Sequence, residues 1–253
     1  MGFYEKLVVP RLINMAMRNT RLASYRQETI GAARGLVLEI GVGSGLSLPI
    51  YSPAVDRVCG IDPSPELLRL ASQRLGDASV PVSLVRASAE QLPFSEAVFD
   101  TLVMTWTLCS IPNPNAALHE MRRVLKAVGR LLFVEHGLSR EARIMRWQHW
   151  LTPCWKRIGG GCHLDRKMDD LIRAAGFGID TIETGYMAGP RALTFNIEVR
   201  RRSRDHGRIG VGFGLHGCWW ACVGTGSPIS TPSKVARPGG RLSSPVSMDC
   251  ALG

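Results

Sequence analysis

The residues best suited to chemistry cluster at the end of the first apolar run. Glu39-Ile40-Gly41-Val42-Gly43-Ser44-Gly45 sets a carboxylate directly before a glycine-spaced turn, and Leu36-Val37-Leu38 leads into it. Glycines at that spacing let the main chain turn tightly and approach a ligand that a Cβ would obstruct. A helix beginning beyond Leu46 aims its free N–H groups at the same ligand. This is the sequence form of a nucleotide-type pocket at the end of a buried strand.

Two ligand classes compete for such a turn. A dinucleotide site uses G-x-G-x-x-G; here the third glycine position holds Leu46 counted from Gly41 and Leu48 counted from Gly43, so the pattern fails in both registers. The Glu39 carboxylate repels a pyrophosphate and attracts a cation. S-adenosylmethionine carries a sulfonium and an ammonium and no phosphate, and it fits that polarity.

The elements that must position these residues follow from the apolar runs. Strands are predicted at residues 36–38, 58–62, 82–86, 100–104 and 131–134, each with the length and content of a strand buried on both faces. Ser64 caps a helix carrying Glu66, Leu67, Leu68 and Leu70, and a second helix is predicted over 116–126. This alternation implies right-handed crossovers and an α/β, Rossmann-like doubly wound sheet with helices on both faces. A helix over 167–175 stops at Gly176, and extended segments at 179–184 and 193–199 are read as an antiparallel closing pair. In such sheets ligands bind beyond the carboxyl ends of the strands, where Asp62, Thr105 and His136 fall.

Composition bounds the rest. A chain of 253 residues, 45% hydrophobic and 21% charged, can bury a full core. Its net charge of +10 gathers near the ends, with Lys6, Arg11, Arg18, Arg21, Arg26 and Arg34 on one side and an arginine-rich stretch from Arg200 to Arg241 on the other. That favours an anionic surface near the termini over an acidic substrate in the pocket, with an unpartnered solvated excess as the alternative. Seven cysteines lack a paired metal spacing, and no secretory or membrane-spanning run appears, so a reducing, cytoplasmic setting is expected. Met1-Gly2 is not followed by the Ser or Thr that myristoylation needs at position 6, where Lys6 stands.

Residues 3–30 read as one or two amphipathic helices. Two roles stay open for them: a cover over the core or pocket mouth, and peripheral attachment to an anionic membrane. Residues 140–165 are rich in tryptophan. Beyond Arg202, Gly, Ser, Pro and Arg dominate and periodicity ends, which predicts a disordered tail over 203–253.

Longer strings now bear on family. Leu38-Glu39-Ile40-Gly41-Val42-Gly43-Ser44-Gly45, Gly60-Ile61-Asp62, Ala89-Glu90-Gln91-Leu92-Pro93-Phe94, Phe99-Asp100 and Val124-Leu125-Lys126 lie within residues 35–136. On them the chain resembles class I S-adenosylmethionine-dependent methyltransferases of the quinone-methylase-like group. Gly45-Leu46-Ser47-Leu48-Pro49, Thr107-Leu108-Cys109-Ser110 and Phe133-Val134-Glu135-His136 are closer to two branches, bacterial phosphatidylethanolamine N-methyltransferases and methyltransferase-like thiol S-methylases. Trp147-Gln148, Pro153, Trp155 and Gly161-Cys162-His163-Leu164-Asp165-Arg166 lean toward the second. One departure is Lys126-Ala127-Val128-Gly129 where the group has a Lys-Pro-Gly-Gly turn, which predicts a reshaped turn remote from the cofactor.

The resemblance implies S-adenosyl-L-methionine as cofactor, with the turn of Gly41, Val42, Gly43 and Gly45 behind Glu39 wrapping its methionine moiety. Asp62, followed by Pro63, is implied to accept hydrogen bonds from both ribose hydroxyls. Ser88, Ala89 and Glu90 are implied to flank the adenine, and Thr105-Trp106 to lie beside the transferable methyl. The expected organisation is a methyltransferase domain over 35–202, preceded by a helical cap over 1–34, with the insertion at 140–165 and the cap forming an acceptor lid.

Methyl transfer from a sulfonium is an in-line displacement, so the protein mainly positions and desolvates. His136 is the candidate base or orienting residue, a satisfied strand-end histidine being the other reading. Trp106, Trp147 and Trp150 can wall an apolar acceptor site, or simply pack. Cys109 reads as a small buried residue, not a nucleophile, and no metal is expected, since His216, Cys218 and Cys222 lack a fourth ligand. Thr105-Trp106-Thr107-Leu108 stands where base-amine methylases carry Asn/Asp-Pro-Pro-aromatic, so no specific nucleic-acid binding is expected. The expected acceptor is a small molecule or lipid. The alternatives are a non-catalytic S-adenosylmethionine-binding regulator and, behind it, an RNA methyltransferase.

Overall fold

The computed structural model describes residues 9–179 and 182–198. The predicted tail over 203–253, with His216, Cys218 and Cys222, lies outside the described residues, as does the start of the basic N-terminal segment.

Five strands run parallel: β1 (Gly35–Ile40), β2 (Val55–Ile61), β3 (Val82–Val85), β4 (Phe99–Thr105) and β5 (Leu125–His136). The expected antiparallel closing pair is β6 (Glu183–Tyr186) and β7 (Phe195–Glu198), with β7 also antiparallel to β5. The resulting seven-stranded sheet has the order β3-β2-β1-β4-β5-β7-β6. The strand order switches from leftward to rightward winding between the parallel neighbours β1 and β4, and the crevice beyond their carboxyl ends is where such sheets take ligands.

The period-two alternation of the strands divides the core between the two sheet faces. Leu38, Ile40, Leu102, Met104 and Phe133 pack on one side with α4 (Pro114–Val124) and α6 (Met168–Ala174). Val37, Val103 and Leu132 pack on the other with Ile30, at the end of α2 (Thr20–Ile30), and with Leu68 of α3 (Pro65–Ser72). Ser64 caps α3 as expected, its hydroxyl accepting from Leu67 N at 3.3 Å. Asn113 caps α4 from Ala116 N at 3.1 Å.

Three elements differ from expectation. The helix expected beyond Leu46 is a single 3-10 turn, Leu48–Ile50, before β2 begins at Val55. The helix predicted to Lys126 ends at Val124, and β5 begins at once: Leu125 is 3% exposed and pairs with Phe99, while Arg130 pairs with Thr101. Burial of Leu125 draws the chain into the sheet early, so the departure at Lys126–Gly129 is a bulge within a strand. Val128 stands 89% exposed at it, and Lys126 Nζ reaches Asp100 Oδ1 at 2.8 Å. The Trp-rich stretch is a 17-residue helix, α5 (Ala142–Ile158), anchored by Gln148, which accepts from Ser139 N at 2.8 Å and donates to Gly137 O at 3.0 Å. Trp147 and Trp150 lie on its outer side, 50% and 70% exposed, in an edge-to-face pair 5.5 Å apart. The N-terminal segment forms two helices, α1 (Val9–Met17) and α2.

Candidate functional site

A cavity of about 950 Å³ opens beyond the carboxyl ends of β1, β2 and β4, with α1 across it. That is the upper end of the ~300–1,000 Å³ typical of small-molecule sites.

The glycine turn forms one wall. Gly41, Gly43 and Gly45 have φ of 69°, 57° and 77°, a region that costs a side-chain-bearing residue. A Cβ on Gly41 would stand 2.4 Å from Thr107 Cγ2, so this glycine lets the β1 and β4 loops touch. A Cβ on Gly43 would meet only Gly41 O, at 3.8 Å; here the backbone faces open cavity. Asp62 pins the turn to β2: Oδ2 accepts from Gly43 N at 3.1 Å and Oδ1 from Ser64 N at 2.8 Å. A carboxylate offers about four lone-pair sites, so each oxygen keeps one for a ligand hydroxyl. Burial raises its pKa to about 6, against those two backbone hydrogen bonds.

Behind the turn, Glu39 is 1% exposed and accepts from the Tyr51 hydroxyl at 3.0 Å. Burial raises its pKa to about 7, opposed by hydrogen bonds from Ser47 and Tyr51 and by the charge of Arg26. Arg26 and Ser47 line the cavity; Glu39 does not. Glu39 therefore sits one layer back, fixing the side chains that face the ligand.

The opposite wall hangs on β4 and β5. Trp106, 8% exposed, holds φ at +52°, a genuine outlier for a bulky residue. Its N donates to Val134 O at 2.8 Å and its Nε1 to Asn196 Oδ1 at 3.1 Å, and Arg26 Cζ lies 5.6 Å from its ring centre. Such strain persists only where the surrounding contacts over-determine the backbone, as they do here. Glu135, fully buried, gathers the following loop: its carboxylate accepts from Thr107 N at 2.7 Å, Leu108 N at 2.9 Å and Cys109 N at 3.2 Å. Burial pushes its pKa up, against those three bonds.

Of the residues expected at the site, Gly41, Val42, Gly43, Asp62, Pro63, Ser88, Ala89, Thr105 and Trp106 line the cavity. Glu39, Gly45, Glu90, His136 and Trp147 are not among its lining residues. Glu90 instead accepts from Asn113 N at 2.6 Å, tying the loop after β3 to α4. Gly45 packs against Ala71, Trp147 points outward, and His136 Nδ1 lies 3.6 Å from Cys162 Sγ. Of the Trp-rich insertion and its loop, Gly160 alone lines the cavity. From α1, Val9, Pro10, Ile13, Asn14 and Met17 do.

Sequence reasoning missed Arg26, Asn196 and the function of Glu135. Glu135 carried a signal, because a carboxylate closing an apolar strand repeats the Glu39 pattern. Arg26 and Asn196 carried none, since only the fold sets them against Trp106.

Residues 38–133 match the family model described as a methyltransferase domain. The chain is 31% identical over 178 residues to thiol S-methyltransferase TMT1B of Mus musculus, covering 68% of this chain and 72% of that protein. It is 32% identical over 145 residues to the Rattus norvegicus protein of that name, covering 56% and 59%. To the phosphatidylethanolamine N-methyltransferase of Cereibacter sphaeroides it is 39% identical over 109 residues, 42% and 53%. The chain thus spans little more than half the length of the latter two relatives. Two solved structures share the fold: a SAM-dependent methyltransferase of Methanosarcina mazei (TM-score 0.53, 23% identity, 64% of this chain and 90% of that one) and the [4+2]-cyclase SpnF (TM-score 0.53, 26% identity, 65% and 58%).

The fold and the glycine-turn site define a Rossmann-like nucleotide-cofactor protein. The chain belongs to the S-adenosylmethionine-dependent methyltransferase family, whose cofactor is S-adenosyl-L-methionine.

Proposed function

We propose that the chain transfers a methyl group from S-adenosylmethionine to a small-molecule or lipid acceptor, with an apolar thiol as the first class to assay. The observation that carries this is the cavity itself, with the glycine turn and the Asp62 carboxylate on one wall and a strained Trp106 on the other. Fold alone decides nothing, since a [4+2]-cyclase shares it.

The residues fit the cofactor. Asp62 has free lone pairs for the ribose hydroxyls, and Gly43 leaves room for close approach. Arg26, at the cavity wall, suits the cofactor's carboxylate. Ser88 and Ala89 line the region beside the β3 end, where adenine is expected. When bound, the cofactor supplies an electrophilic methyl on sulfur. The chain's task is then to hold an acceptor in line with it and exclude water, which Trp106, Ile111 and the apolar face of α1 do at the opposite wall. No lining residue is required as a base for an acceptor that arrives as an anion, and His136 stands outside the cavity.

The thiol preference rests on the mouse relative, whose 178-residue alignment must extend beyond the matched domain at 38–133. Helix α1 also supports peripheral contact with an anionic membrane: Leu12 and Met15 are 43% and 68% exposed beside exposed Arg11 and Arg18. Among the described residues no helix is long and apolar enough to cross a membrane.

The test is release of S-adenosylhomocysteine with alkyl and aryl thiols, phosphatidylethanolamine and demethylquinones as acceptors. Turnover with thiols is expected. Cofactor binding without release for any acceptor would favour a regulator, and release with tRNA alone would sink the small-molecule reading.

A further inference from the structure

Behind the cavity wall, three side chains that methyl transfer does not use converge from separate segments. Cys109 follows β4, His136 ends β5, and Cys162 lies in the loop after α5. Their ligand atoms all lie within 4.8 Å of one another, and Cys162 Sγ is 3.6 Å from His136 Nδ1. Cys109 and Cys162 are 1% and 5% exposed, and His136 is partly buried.

The backbone fixes this convergence without help from the three side chains. His163 N donates to Cys109 O at 2.9 Å, joining the two cysteine loops. Arg166 Nη1 donates to Leu108 O and Ile111 O, both at 2.7 Å, and Glu135 holds the N–H groups of residues 107–109. An ion about 2.3 Å from sulfur and about 2.0 Å from imidazole nitrogen in tetrahedral geometry separates its ligands by roughly 3.5–3.8 Å. The group is therefore spaced for an ion with only small side-chain adjustment.

We propose that Cys109, His136 and Cys162 bind a zinc ion. Two thiols and an imidazole are a soft donor set that selects zinc over magnesium or calcium. Binding releases both thiol protons, and two thiolates neutralise the divalent charge, so the buried group gains no net charge. Three protein ligands leave the fourth position to water or another exogenous ligand. The ion sits directly behind the cavity wall, because Ser110, next to Cys109, and Gly160, two residues before Cys162, line the cavity. It ties the loop after β4 and the loop after α5 to the end of β5. The spacing escapes sequence reading because the three ligands come from three distant segments.

The test uses the full chain with Cys154, Cys218, Cys222 and Cys250 replaced by serine, so that only Cys59, Cys109 and Cys162 remain as sulfur ligands. Cobalt titration of the metal-free protein is expected to saturate at one equivalent, with an intense near-ultraviolet thiolate-to-cobalt band that zinc displaces. X-ray absorption of the zinc form is expected to show two sulfur scatterers at about 2.3 Å. Adding Cys109→Ser with Cys162→Ser should abolish the thiolate band, and His136→Asn should weaken zinc binding while keeping it. A folded parent chain without a thiolate band overturns the proposal. So do oxygen and nitrogen scatterers alone, or a Cys109–Cys162 disulfide that persists under reductant. None of these readouts depends on methyl transfer.

Discussion

On the β1–β2 side of the cavity the ligand-facing groups come from one short stretch and one position beyond it. On the β4–β5 side the wall is formed by Arg26 and Trp106 and held from behind by Glu135 and Asn196, residues far apart in the chain. The first side is mostly backbone, with left-handed glycines and N–H groups pinned by Asp62. The second is mostly side chain, with a strained tryptophan and a carboxylate gathering three amides. A backbone site has to be written locally, because φ is a property of the residue that adopts it. A side-chain site can be assembled by the fold from anywhere, which frees its acceptor specificity to vary while the cofactor side stays fixed.

The largest expected effect tests how much of the second side hangs on one group. Glu135→Ala leaves the buried N–H groups of Thr107, Leu108 and Cys109 without their acceptor, each costing roughly 1–3 kcal/mol where water cannot enter. A loss on the order of 4 kcal/mol in urea-unfolding free energy is expected. A loss below ~1 kcal/mol would mean that the loop is held by its other contacts and that the contrast between the two sides is overstated.

Next comes Glu39, the equivalent carboxylate on the cofactor side. Its folded pKa, about 7, lies above the ordinary 4.5, so folding favours its protonated form. Its contribution is fully present below pH 4.5 and is lost as pH rises through 7, a change on the order of 3 kcal/mol. Glu39→Gln removes that loss, so the stability of the variant relative to wild type should rise between pH 5 and pH 8. A pH-independent difference would show that Arg26 and Tyr51 already hold the carboxylate ionised.

Asp62 tests the cofactor side directly. Asp62→Ala is expected to weaken S-adenosylmethionine binding by about 1.5–3 kcal/mol, roughly 10- to 150-fold, in calorimetry. Its raised pKa, about 6, adds a second signature: wild-type affinity should fall as pH drops through 6, where the carboxyl gains the proton that competes with the ribose hydroxyls. The variant should lose that dependence. An unchanged dissociation constant would remove Asp62 from the ribose.

The same contrast explains what the sequence disclosed. Buried parallel strands announce themselves as apolar runs, and the turn needs glycines at fixed spacing, so the sheet, the glycine wall of the cavity and the place of Asp62 on it were legible. The early start of β5 was not, because Leu125 is drawn into the sheet by burial against a distant strand and not by local propensity. His136 was placed at the right strand end, but sequence could not show that its imidazole meets Cys162 and not the cavity. Trp106 was expected near the pocket, beside the transferable methyl by resemblance, but its positive φ is invisible until Val134, Asn196 and Arg26 surround it.

The smallest expected effect concerns Trp147, which sequence reading placed at the acceptor and the structure places on the outer side of α5, half-exposed against Trp150. An exposed aromatic that walls no cavity contributes little to folding, so Trp147→Ala should change stability by less than ~0.5 kcal/mol. With a soluble thiol as acceptor, KM and kcat should both stay near wild type, because the side chain is not among the residues lining the cavity. With an acceptor presented in anionic vesicles the outcome separates two roles. If the Trp147–Trp150 pair seats in an interface as amphipathic aromatics do, vesicle binding should weaken on substitution while turnover of the soluble acceptor holds. A rise in KM for the soluble thiol would instead return Trp147 to the acceptor wall and require α5 to move onto the cavity during turnover, making the second side of the site mobile where the first is fixed.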